Sequence, residues 1–432
     1  MAALGGVRGA LQGLTTRGRS FLAAGGATAA AAVILGQRDL LRVGVLVMAL
    51  PLVSAWVVAR TRYRLACTRR LEPARVAAGQ QADVVVRLDN VSRLPTGLLL
   101  VEDRVPYALG SRPRFVLEKV EPRGHRAVSY GVRSDVRGRF AIGPLSLRLT
   151  DPFGLCELQR AFTATDALTV TPVVHPLEAV PLGGEWTGSG ESRSRSVASA
   201  GEDDVATREY RHGDALHRVH WRSTARYGEL MVRREEQPWQ ARATVLLDAR
   251  ARAHRGEGGA SSFEWAISAA ASVGVHLVRR GYAVRLVTDS GANVASAAHS
   301  PDGVGSDFEG LLLDALAVIP SSSGSTLRDV APMLRRGGDG LLVAILGDLD
   351  LDQAAELARV AHATTAVALV LDVASWTPGA RHSQRGASAS ERAATLLERS
   401  GWRVVRVHAG DSIATIWPQA ARHARLSAGG VA

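Results

Sequence analysis

Two long apolar stretches near the N-terminus most strongly limit how this chain can fold. The first is Ser20–Gly36, rich in Ala and Gly, and the second is Leu40–Ala59, rich in Leu and Val. Each is close to the ~20 residues that cross a bilayer as a helix. We predict a helical hairpin that anchors residues 1–62 in a membrane, with helices over about 20–36 and 40–59. A signal peptide with its apolar region around residues 21–35 is the alternative, although a second apolar segment follows it.

Arginines flank the hairpin on both sides, and the connecting turn holds fewer of them. The flanking arginines are Arg8, Arg17, Arg19, Arg60, Arg62, Arg64, Arg69 and Arg70. Because positively charged segments stay on the cytoplasmic side of a membrane, we predict a two-pass protein of the cell membrane. Both termini and the soluble domains are expected in the cytoplasm, and the lipid bilayer is the first expected partner.

Residues 63–180 carry short runs of β-branched and aliphatic residues between turn residues. The runs lie at 82–90, 96–105, 125–134 and 140–151. Short strands at this spacing predict an antiparallel β-sandwich. Phe153, in the turn "DPFGL", is expected to fill the core. Since the domain does not group titratable residues as a catalytic site requires, we expect a spacer or a binding module.

Residues 181–206 are rich in Gly and Ser and are predicted to form a flexible linker. The segment 207–240 that follows is the part of the chain densest in charged and aromatic residues, "REYRHGDALHRVHWRSTARYGELMVRREE". We predict that it forms a strand, a turn, a helix and a second strand. The helix is expected over about 216–227, with Asp214 as its cap and Gly228 at its end.

Three interpretations of this segment compete. An enzyme would use a histidine as base with a carboxylate partner, and the candidates are His217, His220, Glu209 and Asp214. A nucleic-acid binder would combine one arginine-rich helix face with aromatic stacking, using Arg218, Arg222, Arg226, Trp221 and Tyr227. A structural network would pair arginines with carboxylates over a buried Trp221. The interleaved acids favour the structural network.

Residues 241–432 alternate apolar strand-like runs with helical runs. The strand-like runs lie at 243–249, 283–289, 340–348, 365–372 and 402–408, and the helical runs at 263–280, 307–318, 326–335, 351–361 and 390–399. This alternation predicts a parallel α/β sheet. The strands end in the acids Asp248, Asp289, Asp348 and Asp372. These acids either form a metal site at the carboxyl edge of the sheet or cap the helices that follow, and capping is the commoner arrangement.

Composition and missing motifs narrow the function classes. The net charge of +11 comes mainly from Arg in an Ala- and Gly-rich chain, which is more typical of a GC-rich genome than of nucleic-acid binding. Cys67 and Cys156 lie far apart, which disfavours a disulfide scaffold or a zinc site. Neither a GxxxxGK[ST] loop nor a GxGxxG turn that opens a helix is present, which disfavours an ATPase or a dinucleotide-dependent dehydrogenase.

The charged segment resembles the motif of a bacterial membrane-protein family, the "domain of unknown function 58" family. The matching residues are Arg208, Glu209, Tyr210, Gly213, Asp214, Arg218, Trp221, Ala225, Arg226, Leu230, Val232, Arg233 and Glu235, and His220 stands where the family often has Asp or Asn. The apolar hairpin, the region 137–155 and the α/β tail are similar to the family as well. The Arg- and Ala-rich composition suggests an actinobacterial source.

The resemblance implies a von Willebrand factor A-like final domain. In that fold a divalent metal is held by Asp-x-Ser-x-Ser after the first strand, where this chain has Asp248, Arg250 and Arg252. Because arginines replace both hydroxyl ligands, a cation would meet fixed positive charges, and Asp348 alone cannot rescue the site. We therefore predict a degenerate site without metal. Relatives of this kind are linked to MoxR-type AAA+ ATPases and to membrane transglutaminase-like proteins.

These features together predict a multidomain, membrane-anchored cytoplasmic adaptor or scaffold. It is expected to act through protein–protein contacts, with a MoxR-type AAA+ ATPase as the expected partner. We expect no catalytic residues, no cofactor and no nucleic-acid partner. Two alternatives stay open: a cell-envelope hydrolase that uses the acids at the strand ends, and a nucleic-acid binder.

Overall fold

The computed structural model of this chain describes residues 13–60, 65–93, 95–96, 98–151, 153–181, 207–210, 219, 221–233, 242–296, 305–337, 340–360, 365–377 and 384–422. The predicted linker lies outside these residues except for its first position. The chain groups into two compact units. They are Met1–Val173 with Leu313–Ile319, and Val174–Leu312 with Pro320–Ala432.

The N-terminal apolar stretches form two helices, α1 at Thr16–Leu35 and α2 at Arg38–Arg60. Both predicted helices are therefore present, and α1 begins earlier than expected. Small residues let them pack closely, since a Cβ added at Gly25 would lie 2.7 Å from the amide nitrogen of Met48. Each helix is long and apolar enough to cross a membrane, by length and composition alone. This weakly indicates membrane association.

The region after the hairpin is built from short, mostly antiparallel strands, as predicted. They are β1 at Leu65–Glu72, β2 at Arg75–Ala77, β3 at Gln81–Asn90, β4 at Leu99–Asp103, β5 at Arg114–Leu117, β6 at His125–Arg133, β7 at Gly138–Ile142, β8 at Leu145–Thr150, β9 at Glu157–Ala161 and β10 at Asp166–Thr171. Their sheet orders are β1-β3-β6, β2-β10-β7 and β5-β4-β8-β9. Only the β2–β10 pair among these is parallel. Alternate residues of β3 are buried, as a strand with one face on a core requires.

Two details of this region differ from the sequence-based expectations. The run 140–151 is not one strand but parts of β7 and β8, which belong to different sheets. The break falls at Gly143, which has a φ of 111°, and at Pro144, which cannot donate a ladder hydrogen bond. The expectation that Phe153 fills the core is wrong, because this residue is 62% exposed and Leu155 is the buried one.

One buried arginine joins the three sheets of this region. Arg69, on β1, donates to the two carboxylate oxygens of Asp103 at 3.0 and 2.7 Å, and to Asp166 at 2.9 Å. It also donates to the carbonyl oxygen of Ile142 at 3.1 Å. The side chains of Arg69 and Asp103 are 4% and 1% exposed. Tyr130 donates to Asp103 at 2.6 Å, and burial together with this hydrogen bond raises the pKa of Tyr130.

Replacing Arg69 with Met should lower the free energy of unfolding by about 3–5 kcal/mol, because the Asp103 carboxylate would stay buried without a counter-charge. Arg87→Met removes an exposed pair with Asp89 in the same region and should cost less than about 1 kcal/mol. Urea unfolding of the purified chain in detergent, followed by hydrogen exchange in β1–β10, measures both. Equal losses in the two variants would contradict the role of Arg69.

The C-terminal region forms a six-stranded, mostly parallel sheet. The strands are β13 at Arg242–Leu247, β14 at Ala283–Thr288, β15 at Asn293–Ser296, β16 at Leu341–Leu346, β17 at Thr365–Leu371 and β18 at Arg403–Val407, in the order β15-β14-β13-β16-β17-β18. All five predicted strands are present within two residues of the expected ends. The edge strand β15 was not predicted, and it runs antiparallel to β14. The sheet is therefore mixed rather than purely parallel.

Helices connect these strands, and five of them correspond to the predicted ones. They are α4 at Ser262–Arg279, α5 at Gly305–Val318, α6 at Val330–Gly337, α7 at Leu351–Ala358 and α8 at Gln384–Arg399. α6 begins later than predicted, and α8 begins earlier. Two short helices that were not predicted, α9 at Ile413–Ile416 and α10 at Gln419–Arg422, follow β18. Every residue of β16 is buried, as expected of a central strand covered on both faces. Because β14, β13 and β16 are parallel neighbours, their carboxyl ends meet at one edge of the sheet.

Candidate functional site

The acids that follow three neighbouring strands lie at this carboxyl edge. Asp248 follows β13, Asp289 follows β14, and Asp348 comes soon after β16. Asp248 and Asp289 are 0% and 3% exposed, whereas Asp348 is exposed. Asp372, the fourth predicted strand-end acid, follows β17, and its Oδ2 lies 3.9 Å from Nε2 of His408. The candidate site is therefore the edge around Asp248.

Asp248 forms a buried bidentate ion pair with Arg250. Nε and Nη2 of Arg250 donate to the two carboxylate oxygens at 2.8 and 2.7 Å. The amides of Arg250 and Gly347 donate to the same carboxylate, both at 3.2 Å. Nη2 of Arg250 also donates to the carbonyl oxygen of Asp348 at 3.2 Å. Arg250 is 1% exposed; burial opposes its charge, but the hydrogen bonds and the charge of Asp248 raise its pKa.

The same loop is tied to the end of β14 through a serine. Asp289 accepts hydrogen bonds from the amide of Ala249 at 3.2 Å and from Oγ of Ser322 at 2.6 Å. The amide of Ser322 donates to the carbonyl oxygen of Ala249 at 2.6 Å, and the carbonyl oxygen of Ser322 accepts from the amide of Ala251 at 2.8 Å. The two buried carboxylates of the edge, those of Asp248 and Asp289, are therefore occupied by hydrogen bonds from the protein itself.

A buried histidine also supports the loop. Nε2 of His254 lies 2.8 Å from the carbonyl oxygen of Asp248, and its Nδ1 lies 3.1 Å from Oγ of Ser262, at the start of α4. Burial lowers the pKa of His254, so the neutral ring is favoured at neutral pH. Since both ring nitrogens contact the protein, His254 serves the loop rather than a substrate.

This edge does not fit a divalent cation. A hard cation needs several oxygen ligands with free lone pairs, but Arg250 takes both carboxylate oxygens of Asp248. In the part of the chain that the structure describes, no group of three or more His, Cys, Asp or Glu side chains could hold a metal ion. Arg252, the other arginine of the degenerate motif, is exposed and donates to the carbonyl oxygen of Ser325. The arrangement supports a structural lock rather than a reaction centre.

Replacing Arg250 with Met should lower the free energy of unfolding of the α/β region by about 3–5 kcal/mol, since Asp248 would lose its counter-charge in a buried place. Arg252→Met removes an exposed arginine from the same loop and should cost about 1 kcal/mol or less. Urea unfolding followed by hydrogen exchange in β13, β14 and β16 compares them. An Arg250→Met variant as stable as the unsubstituted chain would show that the ion pair does not hold the edge together.

The structure describes residues 207–210, 219 and 221–233 of the charged segment. These residues contain three short elements: β11 at Thr207–Glu209, α3 at Trp221–Tyr227 and β12 at Met231–Arg233. β11 and β12 pair antiparallel. Val219 forms an isolated bridge with Val232, and the amide of Met231 donates to Oγ1 of Thr224 at 3.0 Å. Gly228 follows α3 with a φ of 78°, as predicted for the end of this helix.

The predicted motif residues fall into two groups. Gly213, Asp214, Arg218 and His220, with the alternative base His217, lie outside the described residues. Arg208 and Arg233 take part in the β11–β12 pairing through their backbones, Glu209 is exposed, and Tyr210 is half-buried with its amide donating to the carbonyl oxygen of Leu230 at 2.8 Å. The predicted helix over 216–227 is described only from Trp221 onwards, so the shared arginine face stays a prediction.

The expectation that Trp221 is buried is wrong. Trp221 is 69% exposed and Tyr227 is 64% exposed, and none of the residues of α3 is buried. The helix lacks the i, i+3, i+4 apolar spacing that would face a core. Leu230 is 41% exposed, and Arg222 and Arg226 are exposed as well. We call the exposed residues of α3 and of the turn after it the motif surface: Trp221, Arg222, Arg226, Tyr227 and Leu230.

The sequence-based prediction missed Ser322, which links Asp289 to the loop after β13. Its signal was weak, because it lies in the run "SSSGS" at 321–325, which is typical of a loop. The nucleic-acid interpretation names Trp221 and Tyr227 as stacking residues, and both are exposed, whereas the exposure of Leu230 was not predicted.

The charged segment and the strand-end acids lie within a match to a protein-family model. Residues 206–378 match the family described as "Protein of unknown function DUF58", so this part of the chain is similar to that family. The search of curated proteins found no match to the chain.

Solved structures resemble parts of the chain only weakly. The CARDB domain of a Pyrococcus furiosus protein, crystallised with di-metal ions, is 12% identical, with 25% of this chain and 90% of that chain covered and a TM-score of 0.20. A chain of the complex between zinc 2-glycoprotein and prolactin inducible protein from human seminal plasma is 9% identical, with 26% and 98% covered and a TM-score of 0.20. At these TM-scores neither similarity carries an argument about function.

Proposed function

We propose that this protein is a membrane-anchored adaptor or scaffold that works through protein–protein contacts. In this proposal α1 and α2 form a two-pass anchor, and the arginines that flank the hairpin keep the soluble parts in the cytoplasm. The strands β1–β10 are assigned to a β-sandwich. The region from β13 onwards is assigned to a von Willebrand factor A-like domain that uses no metal, because Arg250 engages Asp248.

The motif surface is the observation that carries the proposal. Trp, Tyr and Arg are the residue types that contribute most of the binding energy at protein–protein interfaces. Trp221 and Tyr227 keep 69% and 64% of their surface exposed, although burying such large rings would stabilise a fold. Large aromatic rings left in solvent on a helix that also exposes two arginines are better explained by a partner than by folding.

The motif surface is also held in place before a partner arrives. The β11–β12 pair closes the segment at both ends, and the bond from the amide of Met231 to Thr224 ties α3 to β12. A surface that is ordered in the free protein loses less entropy on binding. This supports recognition by a preformed surface.

The two alternative functions find less support among the described residues. A hydrolase at the strand ends would need carboxylates available to a substrate, but Asp248 and Asp289 are buried and engaged by Arg250, Ser322 and backbone amides. Of the four strand-end acids, this leaves only Asp348 and the half-buried Asp372 accessible. A nucleic-acid binder would need a surface of one charge sign. The exposed acids Glu209 and Glu229 lie close in sequence to the motif arginines.

A MoxR-type AAA+ ATPase is the proposed partner. The support is the resemblance of the motif together with the family match over residues 206–378. Exposed arginines beside aromatic rings suit a partner surface that combines acidic and apolar groups.

Affinity purification from native membranes, with and without ATP, tests this function. Trp221→Ala and Arg226→Glu should each lower recovery of the ATPase by about tenfold or more, because truncating a hot-spot residue costs about 2 kcal/mol of binding. Both residues are exposed, so the variants should keep the unfolding temperature of the unsubstituted chain. Tyr107→Ala, which removes a 96% exposed aromatic residue elsewhere, is the matched control and should leave recovery unchanged.

Two outcomes would count against the proposal. If no AAA+ ATPase is recovered with the unsubstituted chain under either nucleotide condition, the partner assignment fails. If Trp221→Ala and Tyr107→Ala recover the ATPase equally well, the motif surface is not where the partner binds.

A further inference from the structure

The turn between β8 and β9 is fastened to the start of helix α1. Thr15, the N-cap residue of α1, donates its amide to the carbonyl oxygen of Leu155 at 3.0 Å and its hydroxyl to the carbonyl oxygen of Gly154 at 2.7 Å. The amide of Glu157 donates to the carbonyl oxygen of Gly13 at 2.7 Å. Three hydrogen bonds therefore hold the turn against the first residues of the apolar hairpin.

Close packing reinforces this attachment. A Cβ at Gly18 would lie 2.2 Å from the carbonyl oxygen of Leu155, so this approach requires glycine. Leu14 forms an isolated bridge with Cys156. Leu14, Leu155 and Cys156 are 7%, 2% and 0% exposed. The turn and the helix start consequently share a packed contact.

The same turn presents one apolar ring to solvent. The carboxylate of Asp151 accepts hydrogen bonds from the amides of Phe153 at 3.2 Å and of Cys156 at 2.7 Å. This local network orders the turn while Leu155 enters the core and Phe153 stays 62% exposed. A single exposed ring is common on protein surfaces, so its meaning depends on whether other exposed apolar residues lie near it.

Strand registers place two more exposed apolar residues at this end of the sheets. The first residue of β1, which follows α2, lies opposite the last residue of β3, so Val91 lies at the end where α2 enters. The first residue of β4 lies opposite a residue of β8 next to the turn, so Leu98 lies there too. Val91 and Leu98 are 59% and 52% exposed. We call Val91, Leu98 and Phe153 the hairpin-proximal surface.

Helix length indicates what this surface meets. The 20 residues of α1 span about 30 Å, which is the thickness of the hydrocarbon core of a bilayer. A turn bonded to Thr15 would then lie at the headgroup level. Trp56, which is 54% exposed near the same end of α2, is of the residue type enriched at that level.

Basic residues surround the hairpin-proximal surface. Arg17 and Arg19 lie in the first turn of α1, and Arg93 follows Val91 by two positions; all three are exposed. Arginines beside the membrane are attracted by the anionic lipids of the cytoplasmic leaflet. The arginines and the exposed apolar residues therefore both favour an anionic bilayer as the occupant of this surface.

We infer that the hairpin-proximal surface is a second membrane contact, in which Phe153, Val91 and Leu98 enter the headgroup region of an anionic bilayer beside α1 and α2. The inference rests on the proposed membrane anchor and adds to it. The turn contributes to lipid contact in addition to joining two strands, and the anchor includes part of the sheet region.

A fluorescent label at position 153 tests this contact. The full chain carrying Phe153→Cys is labelled with a polarity-sensitive fluorophore and placed in nanodiscs of equal parts phosphatidylcholine and phosphatidylglycerol. Lipids that carry a spin label near the headgroup should quench this label by about twofold or more, as expected at interfacial depth. The matched control is Tyr107→Cys, which is 96% exposed and follows the end of β4 farthest from the turn, and it should be quenched little.

Two further samples make the result decisive. Leu46→Cys, at a 71% exposed position inside α2, reports on the anchor itself through lipids with the spin label near the chain end. The unsubstituted chain is the labelling blank, because burial raises the pKa of Cys67 to about 11 and raises that of Cys156. Both thiols therefore react slowly at neutral pH.

The three possible outcomes test the second membrane contact separately from the helical membrane anchor. Quenching at 153 and 46 but not at 107 supports the second contact. Quenching at 46 without quenching at 153 overturns the second contact and leaves the anchor intact. Absence of quenching at 46 overturns the membrane anchor and the second contact with it.

Discussion

The buried ion pair between Asp248 and Arg250 is the interaction on which the carboxyl edge of the α/β sheet depends. A carboxylate withdrawn from water at the carboxyl edge of a sheet needs a counter-charge, and the chain supplies one only two residues away. The guanidinium also donates to the carbonyl oxygen of Asp348. At the edge where α/β sheets usually bind ligands, the Asp248 carboxylate is thus engaged by the protein's own side chain.

Arg69 plays a corresponding part in the strands that follow the hairpin. It engages Asp103 and Asp166 and so joins strands of different sheets. Buried pairs of this kind add little net stability compared with apolar packing, but removing one partner is costly. Arg69 therefore fixes the arrangement of the strands after the hairpin, and Arg250 fixes the carboxyl edge of the α/β sheet. Function is then expected at exposed groups, and the largest of these among the described residues are aromatic.

The sequence predicts the positions of helices and strands better than it predicts which side chains are exposed to solvent. Continuous apolar runs locate all five parallel strands, since β13 and β16 are buried on both faces. The edge strand β15 escaped prediction because it is short and polar. Phe153 and Trp221 were both expected in a core and are both exposed, because an aromatic residue in a turn or in a helix of about two turns faces a core only if its neighbours direct it there. The Arg69 and Ser322 contacts join residues far apart in sequence, which no local pattern reveals. The degenerate motif at Asp248, Arg250 and Arg252 could be identified from the sequence, but the bidentate pair could not.

The central claim is that this protein works by presenting the motif surface to a partner. Site-specific photo-crosslinking from position 221 in native membranes tests it most directly, because a photoreactive side chain at this exposed position reports only on molecules in contact with it. The account predicts a covalent adduct with an AAA+ ATPase, identified by mass spectrometry, and no such adduct from position 107. A chain that gives no protein adduct from position 221 while folded and in the membrane would contradict the account.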